Sequence, residues 1–320
     1  MRRILVTGAL GQIGSELVPA LQQHYGSDRV VASDVRIVPQ QLPAGGIHEH
    51  LDCTQPLQIL EMARRYEIGT IYHLAALLSA VAEEKPHAAW SINMDGLYNI
   101  LEAARQHRCQ VFFPSSIGAF GPSTPPDHTP QTAIQRPTTI YGVTKVAGEL
   151  LCDYYAGRFG VDVRGLRLPG LISYVAPPGG GTTDYAVEMF LQALRYKHYS
   201  CFLKPDTRLP MMYMPDAIRA TIELMEADGG RLRYRNAYNV AAMSITPAEL
   251  AAEIRKHVPI FALDFRVDPV RQSIAESWPH SLDTSAARED WGFAPQFDLA
   301  AMTADMLARL GAKNSPAVAE

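Results

Sequence analysis

Short apolar runs alternate with amphipathic segments from the N-terminus to about residue 172. In the amphipathic segments, apolar residues recur every three or four positions, as at Ile13, Leu17 and Leu21, which predicts helices. The apolar runs are rich in branched residues and predict strands at 4–6, 29–34, up to 52, 70–76, 111–116 and 163–172. Repeated strand–helix units predict an α/β fold, a doubly wound parallel (Rossmann) sheet with helices on both faces.

The pattern changes after residue 172, where the predicted elements become shorter and more mixed. Residues 177–184 (Pro-Pro-Gly-Gly-Gly-Thr-Thr-Asp) form a polar, glycine-rich segment ahead of a predicted helix at 185–195. This change divides the chain into two predicted parts. They are a Rossmann domain at 1–172 and a smaller, mixed substrate lobe at 173–320, in which segments near 211–241 pack back on the first domain.

The first predicted strand ends in a glycine-rich turn. Gly8, Gly11 and Gly14 lie between residues 4–6 and the first predicted helix. Glycines at these positions let the backbone turn tightly and approach a pyrophosphate, while the helix N-terminus offers free N–H groups and the positive end of a dipole. The spacing is Gly-x-x-Gly-x-x-Gly rather than Gly-x-Gly-x-x-Gly. On this feature alone, an ordinary glycine turn remains the alternative.

An acidic residue ends the second predicted strand. Asp34 lies 20 residues after Gly14, where a carboxylate accepts hydrogen bonds from the adenosine ribose and repels a 2′-phosphate. The alternative is a turn residue at a strand end, because a Pro/Gly loop follows and extends to Gly46. The sequence therefore predicts NAD rather than NADP, and Arg36 is the residue that would soften this preference.

A Tyr-x-x-x-Lys pattern at Tyr141 and Lys145 follows a Pro-rich loop. Four-residue spacing puts both side chains on one helix face. A positive charge there favours the phenolate, which makes Tyr141 a candidate general base, with Ser116 beside it at a strand end. Chance occurrence on an exposed helix is the alternative for the pair alone. Because the carboxyl ends of parallel strands share one edge, one cleft is expected to collect Gly8, Asp34, Ala75 and Ser116.

Composition narrows the class of protein. Of 320 residues, 47% are hydrophobic and the formal net charge is −4, so nothing favours a nucleic-acid or membrane-surface partner. No apolar run is long enough for a transmembrane helix. Four scattered cysteines indicate a reducing compartment, and we expect a cytoplasmic protein. The histidines show no metal-ligand spacing beyond the weak pair His48 and His50, so no metal is expected.

The motifs, taken in order, resemble the extended short-chain dehydrogenase/reductase family, which contains UDP-galactose 4-epimerase. The matches are residues 7–14 (Thr-Gly-Ala-Leu-Gly-Gln-Ile-Gly), Asp34, 51–52, 73–76, Asn93, 115–116, 141–145 and 167–170, with weaker ones at 211–217 and 291–295. The resemblance implies NAD as cofactor and a homodimer paired through helices around Asn93 and Tyr141. It implies cofactor contacts at Gly8, Gly11, Gln12, Ile13, Gly14, Asp34, Asp52, Leu74, Ala75, Ala76, Asn93, Pro114, Tyr141, Lys145 and Pro169.

Within that family the chain is most similar to the short-chain L-threonine 3-dehydrogenases, at 77–80, 169–174, 178–186 and 188–190. This similarity implies oxidation of the C3 hydroxyl of L-threonine to 2-amino-3-oxobutanoate. Tyr141 would be the base, Ser116 would position the oxygen, and Lys145 would lower the phenol pKa and hold the nicotinamide ribose. Expected substrate contacts are Ser79, Ser116, Tyr141, Gly181, Thr182 and Thr183. The simpler alternative for the last segment is a loop in which Thr183 or Asp184 caps the next helix.

Two departures from family patterns bear on the reaction. Ile117 and Gly118 stand where family dehydratases carry an Asp-Glu pair, which disfavours water elimination. Leu209 stands where nucleotide-sugar enzymes carry an arginine, with Arg208 one position away, which disfavours a UDP-sugar. The rival enzyme is nevertheless an NAD-dependent nucleotide-sugar epimerase. The rival of another class is a non-catalytic dinucleotide-binding redox sensor, which would be expected to lack the tyrosine or the lysine.

Overall fold

A central sheet of seven parallel strands organises the fold. The computed structural model describes residues 2–36 and 46–314, and most of the predicted Pro/Gly loop before Gly46 lies outside those residues. The strands are β1 (Arg3–Thr7), β2 (Val30–Asp34), β3 (Ile47–His50), β4 (Ile68–His73), β5 (Gln110–Ser116), β6 (Val163–Leu168) and β10 (Tyr238–Asn239). Their order is β10-β6-β5-β4-β1-β2-β3, with parallel pairing at each step. The predicted doubly wound α/β fold is confirmed.

Helices cover both faces of this sheet, because the sheet is apolar on both. They are α1 (Gly14–Tyr25), α2 (Pro56–Arg65), α3 (Ser79–Glu84), α4 (Pro86–Trp90), α5 (Gly96–His107), α6 (Ile140–Phe159), α7 (Tyr185–Arg195), α8 (Met214–Glu226), α9 (Pro247–His257), α10 (Pro269–Glu276), α11 (Ser285–Trp291) and α12 (Leu299–Asn314). One core cluster joins Leu17 of α1 to Leu224 of α8, and another joins Ile59 of α2 to Leu97 of α5. Within the described ranges, no helix is long and apolar enough to cross a lipid bilayer.

Two smaller sheets follow β6 in the chain. β7 (Gly170–Ile172), β9 (Leu209–Tyr213) and β11 (Met243–Ile245) form one, and β8 (His198–Cys201) pairs with β12 (Ala262–Phe265) in the other. A third core cluster lies among these elements and includes Phe190, Met211 and Met302. The second part of the chain therefore has its own apolar interior.

The predicted strand at 163–172 is wrong in one respect. β6 ends at Leu168, and β7 begins at Gly170 in a different sheet, with Pro169 between them. Proline has no N–H to continue a ladder of hydrogen bonds. Later in the chain, β10 returns to the seven-stranded sheet beside β6, and α8 packs on the face that α1 covers. The division of the chain into two domains at residue 172 stays a prediction.

Candidate active site

The glycine turn after β1 is a tight cradle of backbone. Gly8 has a φ of +69°, and a Cβ there would lie 2.7 Å from the amide nitrogen of Ala75. A Cβ at Gly14 would lie 2.5 Å from the carbonyl oxygen of Gly8, so both positions require glycine. α1 begins without a side-chain cap, and the buried Nε2 of Gln12 has no hydrogen-bond partner among the described residues. A pyrophosphate fits this cradle, because its oxygens accept from such donors.

Asp34 lies at the carboxyl end of β2, beside the glycine turn. Its Oδ2 accepts a hydrogen bond from the backbone of Leu10 at 3.1 Å, and the guanidinium of Arg36 lies 3.0 Å from its Oδ1. Both residues line one cavity, together with His48 and His50 of β3. The Asp34 carboxylate therefore lies at the strand end where binding of the adenosine ribose was predicted. It is paired with the positive charge of the partly exposed Arg36.

β5 and α6 bring the three catalytic candidates together. Ser116 ends β5, and its Oγ accepts a hydrogen bond from the backbone of Gly118 at 3.1 Å. The side chain of Thr139 caps α6 by accepting from a first-turn N–H at 3.0 Å. Tyr141 therefore lies in the first turn of α6 and Lys145 one turn later, and both are buried. Ser116 and Tyr141 line the same cleft, and the Ser116 hydroxyl acts to lower the pKa of the phenol.

Burial dominates the electrostatics of this pair. It raises the pKa of Tyr141 to about 12, against the lowering effect of the Ser116 hydroxyl. It lowers the pKa of Lys145 to about 8, against the raising effect of the charge on Glu149. Lys145 Nζ donates to the carbonyl oxygen of Pro114 at 2.6 Å and lies 5.4 Å from the Tyr141 ring centroid. Desolvation of the phenolate therefore dominates the pKa of Tyr141, and the expected lowering of that pKa by Lys145 stays a prediction.

His73 ends β4 behind the same pair. Its Nδ1 lies 2.8 Å from the hydroxyl of Thr7. Burial, with the positive charge of Lys145, lowers the pKa of His73 to about 3. The imidazole is therefore neutral at physiological pH and is not suited to acid–base work there.

One cleft collects most of the predicted site residues. They are Gln12, Ile13, Leu74, Ala76, Ser79, Pro114, Ser116, Tyr141, Lys145, Pro169, Gly181, Thr182 and Thr183. Ala75 packs on Gly8 and lines a small adjoining cavity with Asn93 and Lys145. The cleft lies at the carboxyl ends of β1, β4 and β5, where the strand order reverses, which is where ligands bind in open α/β sheets.

Asn93 and Asp52 make structural hydrogen bonds. Asn93 Oδ1 accepts from the backbone of Leu77 at 2.9 Å, and its Nδ2 donates to the hydroxyl of Thr144 at 3.1 Å. Asn93 thus ties the segment after β4 to α6. The Asp52 carboxylate accepts from the backbone two residues later at 2.9 Å. Asp52 is not among the described residues that line either cavity.

Ser79 meets the segment before α7 across the cleft. The hydroxyls of Ser79 and Thr182 are 3.2 Å apart, and both residues are buried. Asp184 Oδ2 accepts from the backbone N–H groups of Gly180 and Gly181 at 2.8 and 2.7 Å. Asp184 makes no capping hydrogen bond to α7, so the capping alternative does not describe it. Its carboxylate instead folds the glycine segment onto the cleft.

Trp278 and Asp184 line the cleft without having been predicted as substrate contacts. The indole N–H of Trp278 is buried and has no partner in the described part of the chain. Burial raises the pKa of Asp184, against the two backbone donors. Asp184 adjoins the predicted glycine segment, which is a usable signal. Trp278 comes from a distant segment, and its only signal is that a buried indole N–H usually has a partner.

The space around Gly118 is limited by the side chains of Tyr141 and Ser116. A Cβ at Gly118 would lie 3.1 Å from two ring atoms of Tyr141 and 3.5 Å from Ser116 Oγ. The position at which family dehydratases carry an acid therefore lies directly against the catalytic candidates. A longer side chain would crowd the tyrosine ring as it stands here.

The sequence model of the NAD dependent epimerase/dehydratase family matches residues 4–241. The chain belongs to this family. An uncharacterized epimerase/dehydratase of Staphylococcus saprophyticus is 54% identical over 99% of this chain and 100% of its own. The X-ray structure of L-threonine dehydrogenase from Clostridium difficile has a TM-score of 0.96 and 54% identity and covers 98% of each chain. A monomeric L-threonine 3-dehydrogenase from a metagenome, in its apo form, has a TM-score of 0.94 and 46% identity, over 97% of this chain and 99% of its own.

Family membership and geometry agree on the cofactor class. The predicted place in the extended short-chain dehydrogenase/reductase family is confirmed. The chain belongs to an NAD-dependent family. Its first βα turn is a glycine cradle that includes an unpaired donor among the described residues. The protein is therefore an enzyme that uses a nicotinamide dinucleotide.

Proposed function

We propose that the protein oxidises the C3 hydroxyl of L-threonine to 2-amino-3-oxobutanoate, with NAD+ as the acceptor. The observation that carries the proposal is the meeting of Ser79 and Thr182 in the cleft that also holds Ser116, Tyr141 and Lys145. Hydroxyls suited to a small polar head group thus lie within one cleft of a candidate base. The L-threonine dehydrogenases among the similar structures support this substrate.

Tyr141 is the proposed base. As phenolate it takes the proton of the C3 hydroxyl, and the C3–H bond breaks as the ketone forms. Because burial raises the pKa of Tyr141 to about 12, the phenolate needs a nearby positive charge, and we assign this role to protonated Lys145. The Ser116 hydroxyl positions the substrate oxygen and stabilises its developing charge. When bound, NAD+ supplies the nicotinamide ring that accepts the hydride from C3.

The remainder of the cleft would hold the amino-acid head group. Ser79, Gly181, Thr182 and Thr183 offer hydroxyl and backbone groups. The unpaired indole N–H of Trp278 is the proposed donor to the carboxylate, since a buried donor without a partner costs free energy until a ligand satisfies it. The Asp184 carboxylate is the proposed counter-charge to the ammonium group.

The cofactor would lie along the strand ends. Its pyrophosphate would be held by the turn that contains Gly8, Gly11, Gln12, Ile13 and Gly14. Its adenosine ribose would bind Asp34, and its nicotinamide ribose would bind Tyr141 and Lys145. Leu74, Ala75, Ala76, Pro114 and Pro169 would form the walls. Asn93 would act by holding the segment after β4 in place. Asp34 supports NAD over NADP, and its ion pair with Arg36 limits how strict that choice is.

The rival functions have less support. Arg208, the guanidinium nearest to the missing arginine position, is bonded to the carbonyl oxygen of Ser244 at 2.7 Å and to Glu249 at 2.6 Å. Leu209 is buried in the core. A nucleotide-sugar epimerase would therefore lack that grip on its diphosphate. A redox sensor would have no need of the buried Tyr141 and Lys145 pair.

The test is to incubate the purified protein with NAD+ and follow NADH absorbance, with L-threonine, L-allo-threonine, L-serine and UDP-galactose in parallel. Net NADH with L-threonine, and much less with NADP+, is the expected result. Conversion of the nucleotide sugar without net NADH from any amino acid would favour the epimerase instead. Binding of NAD+ with no turnover of any substrate would favour the sensor.

We also propose that the chain forms a homodimer in the cytoplasm. Exposed apolar side chains lie on the helices expected to pair, including Tyr98 on α5 and Leu150 and Tyr154 on α6. Several exposed apolar side chains on neighbouring helices are typical of an interaction surface. All four cysteines are free and buried, which is compatible with a reducing compartment.

A further inference from the structure

A buried polar cluster lies behind the proposed catalytic residues. Arg167 of β6 forms two parallel hydrogen bonds with Glu149 of α6, from Nε at 3.0 Å and from Nη2 at 2.8 Å. Gln135 Nε2 donates to the same carboxylate at 2.9 Å, and the hydroxyl of Ser115 donates to it as well. Glu149, Arg167 and Ser115 are each less than a tenth exposed. The carboxylate is thus a fully hydrogen-bonded member of a buried ion pair.

This cluster is continuous with the active-site candidates. Three consecutive residues at the carboxyl end of β5 are each tied to a different turn of α6. Pro114 accepts from Lys145, Ser115 donates to Glu149, and Ser116 lines the cleft with Tyr141, whose pKa its hydroxyl acts to lower. Glu149 lies one helical turn beyond Lys145 and therefore on the same face of α6.

We propose that Glu149 is a positioning residue, which keeps the buried Lys145 protonated and holds the carboxyl end of β5 against α6. It is not among the described residues that line the catalytic cleft, so we assign it no direct contact with substrate or cofactor. Its effect on threonine oxidation rests on the proposed function. Its effect on Lys145 does not.

The physical reason lies in what surrounds the ammonium group. Burial disfavours the charged form of Lys145, and the negative charge of Glu149 opposes that effect. His73 on β4 is neutral, because its pKa is lowered to about 3. Burial raises the pKa of Cys152, on α6, well above its ordinary value, and that of Tyr141 to about 12, so both are neutral too. Among the described neighbours of Lys145, Glu149 therefore supplies the compensating charge.

Around Glu149 itself, the facing charged groups are Arg167 from β6 and Lys145 and Asp153 from α6. Asp153 lies one turn further along α6 and is bonded to Asn236 at 2.6 Å. Asp153 is a carboxylate on the same helix, but its charge is not among those that shift the pKa of Lys145. Asp153 is therefore the matched control.

The test compares the titration of Lys145 in wild type, E149Q and D153N. Protein labelled with 13C-lysine is titrated by NMR, and the Lys145 Cε signal is assigned by its absence in K145R. We expect the midpoint to fall by about one pH unit in E149Q and to stay at the wild-type value in D153N. An unchanged midpoint in E149Q, or an equal fall in D153N, would overturn the proposal.

E149Q leaves the buried Arg167 without its counter-charge, so the double variant E149Q/R167M, which removes both charges, is measured beside it. The midpoint of the Lys145 titration is expected to fall in this double variant too. An unchanged midpoint there would overturn the proposed role of Glu149, even if E149Q alone does not fold. With L-threonine, E149Q should lose activity on the alkaline side about one pH unit earlier than wild type. If wild type oxidises no threonine, the proposed function fails, while the NMR midpoints still decide the role of Glu149.

Discussion

At the scale of single residues, the proposed chemistry depends most on the phenol of Tyr141. We expect Y141F to lower kcat with L-threonine by about 10²- to 10⁴-fold, because the variant keeps the ring but loses the group that accepts the proton. NAD+ affinity should change far less, since Lys145 and the glycine turn remain. Steady-state NADH formation and calorimetric NAD+ binding measure the two effects separately.

Tyr154 gives the matched control for Y141F. It lies on the same helix but is not among the described residues that line the cleft, and Y154F keeps the ring that the proposed dimer would cover, so this variant should retain wild-type kcat and NAD+ affinity. Near-normal turnover by Y141F would show that another group takes the proton. A parallel loss in Y154F would show that the assay reports damage to α6 rather than chemistry.

The lowered pKa of the buried His73 leads to a prediction about stability rather than about reaction rate. The pKa of His73 is about 3 in the folded protein and 6.5 in its ordinary state. Below pH 6.5 the unfolded chain therefore binds a proton that the folded protein excludes. Stability from this group is complete above pH 6.5 and is lost progressively toward pH 3, by about 2 kcal/mol at pH 5.

Between pH 7.5 and pH 5, we expect the free energy of unfolding of H73Q to fall by about 2 kcal/mol less than that of wild type. Urea unfolding at both pH values measures the two free energies. The exposed His87 supplies the control, and H87Q should lose as much as wild type. If H73Q and wild type lost equal stability over this interval, His73 would not be held neutral by the fold.

The catalytic candidates were predictable from sequence for a local reason, whereas part of the substrate pocket was not. Tyr141 and Lys145 share a face through helical spacing alone, and Ser116 ends a strand beside them. Trp278 reaches the cleft from a distant segment, and nothing in its neighbourhood marks it as a site residue. The raised pKa of Tyr141 also escaped prediction, because burial depends on every element packed around the ring.

At the scale of elements, long periodic segments were predicted well and short ones were not. The helix predicted at 185–195 corresponds to α7 (Tyr185–Arg195). β10 has two residues, too few to give a period, and its place beside β6 is set by long-range pairing. The π-helical turn at Ser91–Asp95 carries no sequence signal of its own, since an extra residue in a helical turn leaves the surrounding periodicity nearly intact.

The turn between β1 and α1 gives an element-scale prediction. A methyl group in G14A would lie 2.5 to 2.6 Å from the carbonyl oxygens of Gly8 and Ala9, so the turn must shift away from the shape that fits a pyrophosphate. We expect the Kd for NAD+ to rise at least about tenfold, which corresponds to 1.4 kcal/mol. Isothermal calorimetry with NAD+ measures this directly.

Gly157 serves as the control for that substitution. It lies within α6, and a Cβ there would meet no heavy atom within 4 Å. G157A should therefore bind NAD+ as wild type does and gain about 0.5–1 kcal/mol of stability, since alanine loses less conformational entropy in a helix. NAD+ binding by G14A at wild-type affinity would mean that the cofactor does not lie against this turn.

At the scale of the whole molecule, α5 and α6 present an exposed apolar face. Val143, Leu150 and Tyr154 lie seven and four residues apart on α6, so they share one face, and they are 40%, 64% and 55% exposed. Tyr98 of α5 is 51% exposed. Because the catalytic candidates lie on the buried side of α6, pairing through this face would brace the helix that carries them.

We expect L150E/Y154E to be monomeric and wild type to be dimeric in size-exclusion chromatography with light scattering, because two carboxylates would be buried unpaired in the interface. I260E replaces a still more exposed apolar residue, 73% accessible, outside these helices and should remain dimeric. A monomeric wild type would align this protein with the monomeric metagenomic threonine dehydrogenase and leave the apolar face without a second copy. If L150E/Y154E were monomeric with normal turnover, the dimer would stabilise the fold without contributing to the site.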